Sequence, residues 1–285
     1  MKVMILDGYN LIYRAKYSGG FRNKRDPEDL DDRSIVFSFI KSLRYLYNLH
    51  DPDKTYFVLE GRPKRRLDLD ADYKGTRVRE RDPGFSTQRR IIKQLIKESW
   101  PGITTAWHED HECDDVIHVL AHDVHRDDEV VIVSSDTDFI QSIDERVRLW
   151  NPIRKKDVEP PVEPRLYVKW KALKGDQSDN IAGFQGVGTK RAASMVENPD
   201  KLEEFLGVEE GRRELYEHNK SMIAFEAVDV SSVNIVPTLW SYDKAEELKK
   251  FCQQCSFASI VKDDKKWNKF IEPIKPKEVR DAEGN

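Results

Sequence analysis

Nine carboxylates stand where apolar runs give way to turns or helix starts: Asp7, Glu60, Glu112, Asp114, Asp115, Asp136, Asp138, Asp176 and Asp179. Asp7, Glu60 and Asp136 sit at the ends of VMILDG, YFVLEG and VIVSSDTD, so a fold that buries those runs gathers the acids at one edge. Any single one of them could be only a helix cap or turn former. As a set they repel, because two unit charges about 4 Å apart cost roughly 4 kcal/mol at an effective dielectric of about 20. They stay ionised together only with cations between them or with raised pKa values. Two hard divalent cations with oxygen ligands and retained water, Mg²⁺ or Mn²⁺, suit such a set. A metal pair about 4 Å apart activates a water and stabilises a leaving oxygen, so the chemistry expected is phosphodiester hydrolysis.

Rival chemistries fail at named positions. A zinc-protease helix needs HExxH, and His111-Glu112-Cys113-Asp114-Asp115 has Asp where the second His must stand. A Walker A loop needs Lys directly after its last Gly, whereas Gly188 is followed by Thr189 and only then Lys190. A phosphatase with an aspartyl nucleophile wants a second acid two residues after Asp7, where Tyr9 stands. His118, His122 and His125 share helical spacing without a partner set and read as a solvated face. Cys252 and Cys255 form a lone CxxC, too few ligands for a tetrahedral zinc site, and read as packing residues. The stretch GDQSDNIAGFQGVGTKRAASMV carries a different signal. Its Gly186-Val187-Gly188 turn opening onto a helix offers backbone N–H groups and a positive dipole end, which together bind phosphate. With Lys190 and Arg191 alongside, it reads as a helix-hairpin-helix clamp that grips nucleic-acid phosphates without reading bases.

Behind these residues lies an alternation of strands and helices. Residues 2–6, 55–59 and 130–135 are β-branched or aromatic runs long enough for buried strands. Between the first two, Ile35, Phe39, Leu43 and Leu46 fall on one helix face, and after Asp115 a second helix carries Val116, Val119, Leu120 and Val124 as its stripe. The pattern implies an α/β fold with a mostly parallel central sheet flanked by helices. In such sheets ligands bind outside the carboxyl ends of the strands, where Asp7, Glu60 and Asp136 stand. From Arg62 to Lys93 the chain is strongly basic and carries Pro83-Gly84, so it reads as an exposed excursion leading into a helix near 87–98. Beyond the VEPPVEP turn, Leu166, Trp170 and Leu173 mark the buried face of a helix ended by Gly175.

The 285 residues suffice for one large domain or a core with a smaller lobe. The net charge of −4 hides the separation of acids from the basic stretch, so a polyanionic partner stays open. No apolar run approaches the roughly 20 residues of a membrane span. Three cysteines make no disulfide framework, and with no signal-peptide pattern the expected location is the cytoplasm.

The stretches LDGYNLIYRA, YKGTR, HECDD, VSSDTDFIQ and GDQSDNIAGFQGVGTKRAA, in that order from residue 6 to 193, resemble the 5′ nuclease family. That family comprises flap endonucleases, phage 5′-3′ exonucleases and the 5′ nuclease domain of bacterial DNA polymerase I. The resemblance implies a PIN-like nuclease core with a helical arch and a helix-hairpin-helix element. It also implies metal-ligand roles for Asp7, Glu112, Asp114, Asp115, Asp136, Asp138, Asp176 and Asp179. Tyr73, Lys74 and Arg77 match the motif at the arch base, where an aromatic stacks and two cations hold the scissile phosphate. Arg14, Gly186, Gly188, Lys190 and Arg191 are implied in nucleic-acid contact, with a K⁺ ion at the hairpin turn. Two positions depart from the pattern: Glu60 stands where the family usually has Asp, and Cys113 where it has Ala.

The expectation is therefore a two-metal 5′-3′ exonuclease or flap endonuclease, with Asp136 central to catalysis. It would act as a monomer on DNA with a 5′ end or flap, and on RNA in RNA–DNA hybrids. The nuclease core would span 1–160 with the arch at about 62–100, the hairpin region 161–232, and a C-terminal segment 233–285 ending in a disordered tail at about 273–285. Two rivals remain: a catalytically silent junction-binding protein that keeps fold and clamp, and a single-strand ribonuclease with a related acidic edge.

Overall fold

The apolar runs at 2–6, 55–59 and 130–135 form the three middle strands of a seven-stranded sheet. The computed structural model describes residues 1–17, 26–75 and 81–283. In chain order its main elements are β1 (Lys2–Asp7), α1 (Gly8–Tyr17), α2 (Ser34–His50), β2 (Lys54–Val58), α3 (Lys64–Leu69), α4 (Pro83–Gln94), β3 (Ile103–Trp107), α5 (Cys113–Val119), β4 (Glu129–Val133), β5 (Val147–Asn151) and β6 (Lys156–Asp157). There follow α6 (Tyr167–Lys174), α7 (Thr189–Val196), α8 (Pro199–Gly207), α9 (Arg212–Ile223), β7 (Asn234–Pro237), α10 (Tyr242–Gln254), α11 (Ala258–Val261), α12 (Asp264–Ile271) and α13 (Lys277–Glu283).

The strand order is β6-β5-β4-β1-β2-β3-β7, parallel throughout except at the two antiparallel edges. From β1 the chain builds outward to β2 and β3 on one side, then returns to lay β4 and β5 on the other. The crevice outside the carboxyl ends of β1 and β4 is thus the switch point where such sheets take ligands. Successive side chains of β1 alternate: Val3 and Ile5 join the core under α5 to α9, while Met4 and Leu6 join the one shared by α1, α2 and the C-terminal helices. The strands β3 (ITTAW) and β5 (VRLWN) were not evident from periodicity. The first has threonine at two of its five positions and the second exposes Arg148.

All four expected stripe residues of α2 are buried. Its first turn is capped from a distance: Gln88 Oε1 accepts from the backbone N–H of Ile35 (2.8 Å) and Val36 (3.2 Å), and Nε2 donates to Asp32 (2.9 Å). This corrects the view of residues 62–93 as an exposed excursion. Phe85, Gln88 and Ile92 of α4 are buried, and Asp82 caps α4 while pairing with Lys16 at 2.9 Å. Gln88→Ala leaves two buried N–H groups without acceptors and is expected to lower stability by about 1–3 kcal/mol. An unchanged urea midpoint with an unchanged slope would contradict that role.

Leu248, Cys252, Trp267, Phe270 and Ile274 share the core with α2, so the C-terminal helices pack against the sheet's α2 side. The tail expected to be disordered is helical at 277–283. Lys277 pairs with Asp53 at 2.5 Å and Arg280 with Asp51 at 2.6 Å, so two acids at the α2–β2 turn give this cationic segment a docking surface that composition does not reveal. The three histidines are also not a solvated face. His118 and His122 bond to Ser142 at 2.8 and 3.1 Å, and buried His125 bonds to Asp128 and Tyr56. Among the described residues no helix is long and apolar enough to cross a membrane.

Candidate metal centre

Asp7 ends β1, in the crevice at the switch point, and is 5% exposed. It accepts from Ser134 Oγ (2.7 Å) and from the backbone N–H of Asn10 (3.0 Å), which aims its carboxylate across to β4. Burial, reinforced by Asp136 and Glu60, pushes its pKa up to about 7 against the opposing pull of those donors. Asp114, in the first turn of α5, is pushed well above the usual carboxylate range by burial and by Asp136, Asp7 and Glu60, with Lys74 opposing. Mutual repulsion of this kind places Asp7, Glu60, Asp114 and Asp136 in one electrostatic cluster.

A second group adjoins it. Asp138, Asp176 and Asp179 offer carboxylate oxygens all within 4.8 Å of one another, and the Asp138 N–H donates to Asp136 at 2.9 Å, linking the two groups. Burial raises Asp138 to about 6 although Lys171 opposes it. Burial also acts upward on Asp176, but Lys171 and the Ser178 donors outweigh it and bring that carboxyl down to about 2. Lys171, buried on α6, contacts Asp138 and lies 2.5 Å from Asp176. Sequence reasoning missed it, because one lysine among those of KWKALKG carries no mark of burial.

Lys74 stands in the left-handed region (φ 55) and contacts Glu112, with Asp179 at 4.0 Å. Its backbone N–H donates to Asp179 O (3.3 Å), so the turn that begins the basic segment is docked on the turn that carries the second acid group. A non-glycine residue held at positive φ is strained and persists only where its surroundings impose it. Tyr73 donates its hydroxyl to Glu112 at 3.0 Å and is 6% exposed, so its ring does not present the open stacking face expected of it. Arg77 lies outside the described residues.

Two expected members stand elsewhere. Asp115 is fully buried, with both oxygens committed to Arg66 (2.9 Å each) and to the backbone N–H groups of Glu112 and Glu226. Asp115 thus serves Arg66 as a counter-ion, and the ligand atoms grouped with its own are those of His111 and Glu226. Arg14, expected in nucleic-acid contact, donates to Ser42 of α2 at 3.2 Å. Arg66 itself was missed. In RPKRR it reads as one more solvated cation, yet it is 2% exposed and also holds Glu112 at 2.7 Å.

At the hairpin, Gly186 has φ 73, which only glycine adopts without strain. Gly188 differs: its φ is −94, and nothing lies within 4 Å of where a Cβ would be. Folding alone does not demand glycine there, whereas close approach of a ligand to the backbone would. Lys190 is exposed, and Arg191 donates to Gly186 O at 3.3 Å.

The donor set is all oxygen, dense in negative charge and rimmed by Lys74 and Lys171, which fits hard divalent cations. Raised carboxyl pKa values mean that protons stand in when cations are withheld. Asp7 then stabilises the fold fully below about pH 4, its unfolded value, and that contribution is lost as pH rises through about 7. A shift of this size corresponds to about 4 kcal/mol. In EDTA, melting temperature is therefore expected to fall between about pH 4 and 7 more in the native chain than in Asp7→Asn, and Mn²⁺ should restore it. Parallel curves for the two proteins would contradict the cluster.

Comparison with known proteins agrees with this architecture. The family model for the 5′-3′ exonuclease N-terminal resolvase-like domain matches residues 2–169. DNA polymerase I of Chloroflexus aurantiacus is 32% identical over 72% of the chain and 23% of its own length. The 5′-3′ exonuclease of Aquifex aeolicus is 29% identical over 71% of the chain and 71% of its own length. The chain thus spans about a quarter of the polymerase relative and about 70% of the stand-alone one. A zinc-bound bacteriophage T5 5′-exonuclease structure superposes with TM-score 0.63 at 22% identity, covering 78% of this chain and 89% of that one. Flap endonuclease-1 from Methanococcus jannaschii gives 0.58 at 16% identity, covering 89% and 86%. With the model match spanning more than half of its length, and its acids gathered at the switch point of the sheet, the chain belongs to the 5′-3′ exonuclease family.

Proposed function

We propose that the chain is a divalent-metal-dependent, structure-selective 5′ nuclease that hydrolyses phosphodiester bonds of DNA, and of RNA in RNA–DNA hybrids, at a free 5′ end or flap. The observation that carries the reading is the meeting of Asp7, Glu60, Asp114 and Asp136 with Asp138, Asp176 and Asp179 at the crevice between β1 and β4. Asp7, Glu112, Asp114 and Asp136 would hold the nearer cation and Asp138, Asp176 and Asp179 the second, with Mg²⁺ or Mn²⁺ as the ions. When bound, such a pair supplies water activation and stabilisation of the leaving oxygen.

The protein's own groups do the rest. Ser134 and Asn10 orient Asp7. Lys74, set at the crevice by its docked turn, is placed to accept the scissile phosphate in exchange for Glu112, and Lys171 keeps Asp138 and Asp176 in reach of each other. Gly186, Gly188, Lys190 and Arg191 would grip duplex phosphates, with K⁺ as the ion of the hairpin turn, and Tyr73 and Arg77 would contact the substrate at the arch base. The same reading gives a monomer working in the cytoplasm on 5′ ends left during replication, such as primers.

An end-labelled 5′-flap duplex with Mg²⁺ tests it. Short labelled products that vanish in EDTA are expected, along with an affinity that falls steeply with salt as counterions are released. Tight flap binding without products in Mg²⁺ or Mn²⁺ would identify a silent junction binder, and preference for single-stranded RNA would identify the ribonuclease alternative.

A further inference from the structure

The chain carries no charge from Val230 to Tyr242, although 35% of its residues are charged. That stretch contains β7, which pairs with β3 and ends the sheet three strands away from β1. All four residues of β7 are exposed, among them Ile235 and Val236, and Leu239 just beyond is 78% exposed. Open sheet edges are usually blunted by lysines, prolines or bulges, because their unpaired backbone groups invite another strand. Here Pro237 closes β7 without interrupting it, and no charge guards the rest of the strand.

The same stretch runs into a cavity of about 630 Å³ between the start of α10 and α12. Its walls include the rings of Trp240, Tyr242 and Trp267 and the carboxylates of Asp243, Glu246, Glu272 and Glu283, against the single cation Lys275. Lys275 is spent on two of those acids: it lies 3.0 Å from Glu272 and contacts Glu283, which also accepts from the Tyr242 hydroxyl at 2.8 Å. Among the described residues Asp243 and Glu246 have no ionic or hydrogen-bonding partner. An acid in the first turn of a helix serves the dipole, which accounts for Asp243 but not for Glu246 a turn further on. Trp240 and Tyr242 meet edge to face, with 6.5 Å between centroids, and the Trp240 indole N–H is shielded from water without an acceptor.

These walls repel a nucleic-acid backbone, so the surface does not serve a polyanionic substrate. They suit a cation that stacks on an aromatic ring and pairs with a carboxylate at once, which a guanidinium does. The indole N–H without an acceptor would be satisfied by a carbonyl, a group that a peptide brings and a free cation does not. A strand edge leading into such a cavity joins the two modes by which extended peptides are held: main-chain pairing and a pocket for one side chain.

We propose that the β7 edge and the adjoining cavity form a docking surface for an extended basic segment of a partner protein. The segment adds a strand along β7, and one of its arginine side chains enters the cavity, where its charge is met by Asp243 and Glu246 and its plane by the indole rings.

The test uses the full chain with isotopically labelled tryptophan, in excess Mg²⁺ to occupy competing carboxylates. The probe is acetyl-Val-Arg-Val-Arg-Val-amide, and the readout is the Trp240 indole N–H resonance, assigned with Trp240→Phe. A saturable shift is expected, and the counterpart peptide with glutamate in place of arginine should give none. Affinity should fall about tenfold or more when Asp243→Asn and Glu246→Gln are combined, two isosteric changes on an exposed surface that leave the fold intact. Flap cleavage by that double variant should stay within about twofold of the native chain, since neither residue lines the crevice. A probe N-methylated at alternate residues should also bind more weakly, because it cannot pair along β7. No saturable shift up to about 5 mM probe, or an affinity that the double variant leaves unchanged, overturns the cavity as an arginine site. Undiminished binding of the N-methylated probe overturns the added strand. Self-association of the native chain that the double variant abolishes, without probe binding, gives the surface to a second copy and overturns the basic partner.

Discussion

Asp136→Asn is expected to slow single-turnover cleavage of a flapped duplex by about a thousandfold or more, equivalent to about 4 kcal/mol of lost transition-state stabilisation, while flap affinity in Ca²⁺ stays within a few-fold. The argument is positional. Asp136 is exposed at the mouth of the crevice, yet it raises the pKa of Asp7, Asp114 and Asp138, so it is the acid that touches both halves of the cluster. Its backbone N–H bonds to Ser134 Oγ, the same hydroxyl that orients Asp7, so one turn positions both carboxylates. The neutral amide keeps the shape, and its carbonyl oxygen can still accept from the Asp138 N–H. Folding is thus preserved while a formal charge is lost where cations would bind. Full Mg²⁺-dependent activity in the variant would remove Asp136 from the catalytic set.

Arg66→Met is expected to destabilise the chain by about 3–5 kcal/mol, because it leaves buried carboxylates without their counter-ion. The guanidinium uses all of its donors: to Met222 O (3.1 Å), Ala224 O (3.1 Å), Glu112 (2.7 Å) and both oxygens of Asp115 (2.9 Å each). It ties α3, the start of α5 and the chain leaving α9 to one point. Arg66→Lys should recover little, since a point charge cannot serve that fork. If Arg66→Met unfolds within about 1 kcal/mol of the native chain, the network is dispensable; if Asp115→Asn costs cleavage but no stability, Asp115 belongs to the metal set.

The acids that matter were legible because strand ends announce themselves. A β-branched run followed by Asp, as in VMILDG, places its carboxylate at the rim of any parallel sheet, and residues 2–6, 55–59 and 130–135 became β1, β2 and β4 almost unshifted. The stripe of α2 and the Gly175 end of α6 follow local rules of periodicity and capping, and both hold. The pairing of Asp115 with Arg66 was not legible, because adjacency in HECDD says nothing about which way consecutive helix side chains point. Asp114 faces the crevice, and its neighbour, about 100° round the helix, faces Arg66. Arg66, Lys171 and Gln88 escaped notice for one shared reason. Each is a polar residue in a polar stretch whose burial depends on partners 30 to more than 150 residues away.

The residues alone determined the kind of chemistry and the sheet edge at which it gathers, since strand-forming runs and mutual repulsion of carboxylates are properties of short segments. Tertiary structure decided which acids gather with one another and which serve an arginine. It also decided that Lys74 and Lys171 rim the crevice and that the basic stretch returns through Gln88 to cap α2. Those outcomes depend on the direction in which a side chain points after distant elements have packed. Packing sets that direction through contacts that no local spacing contains.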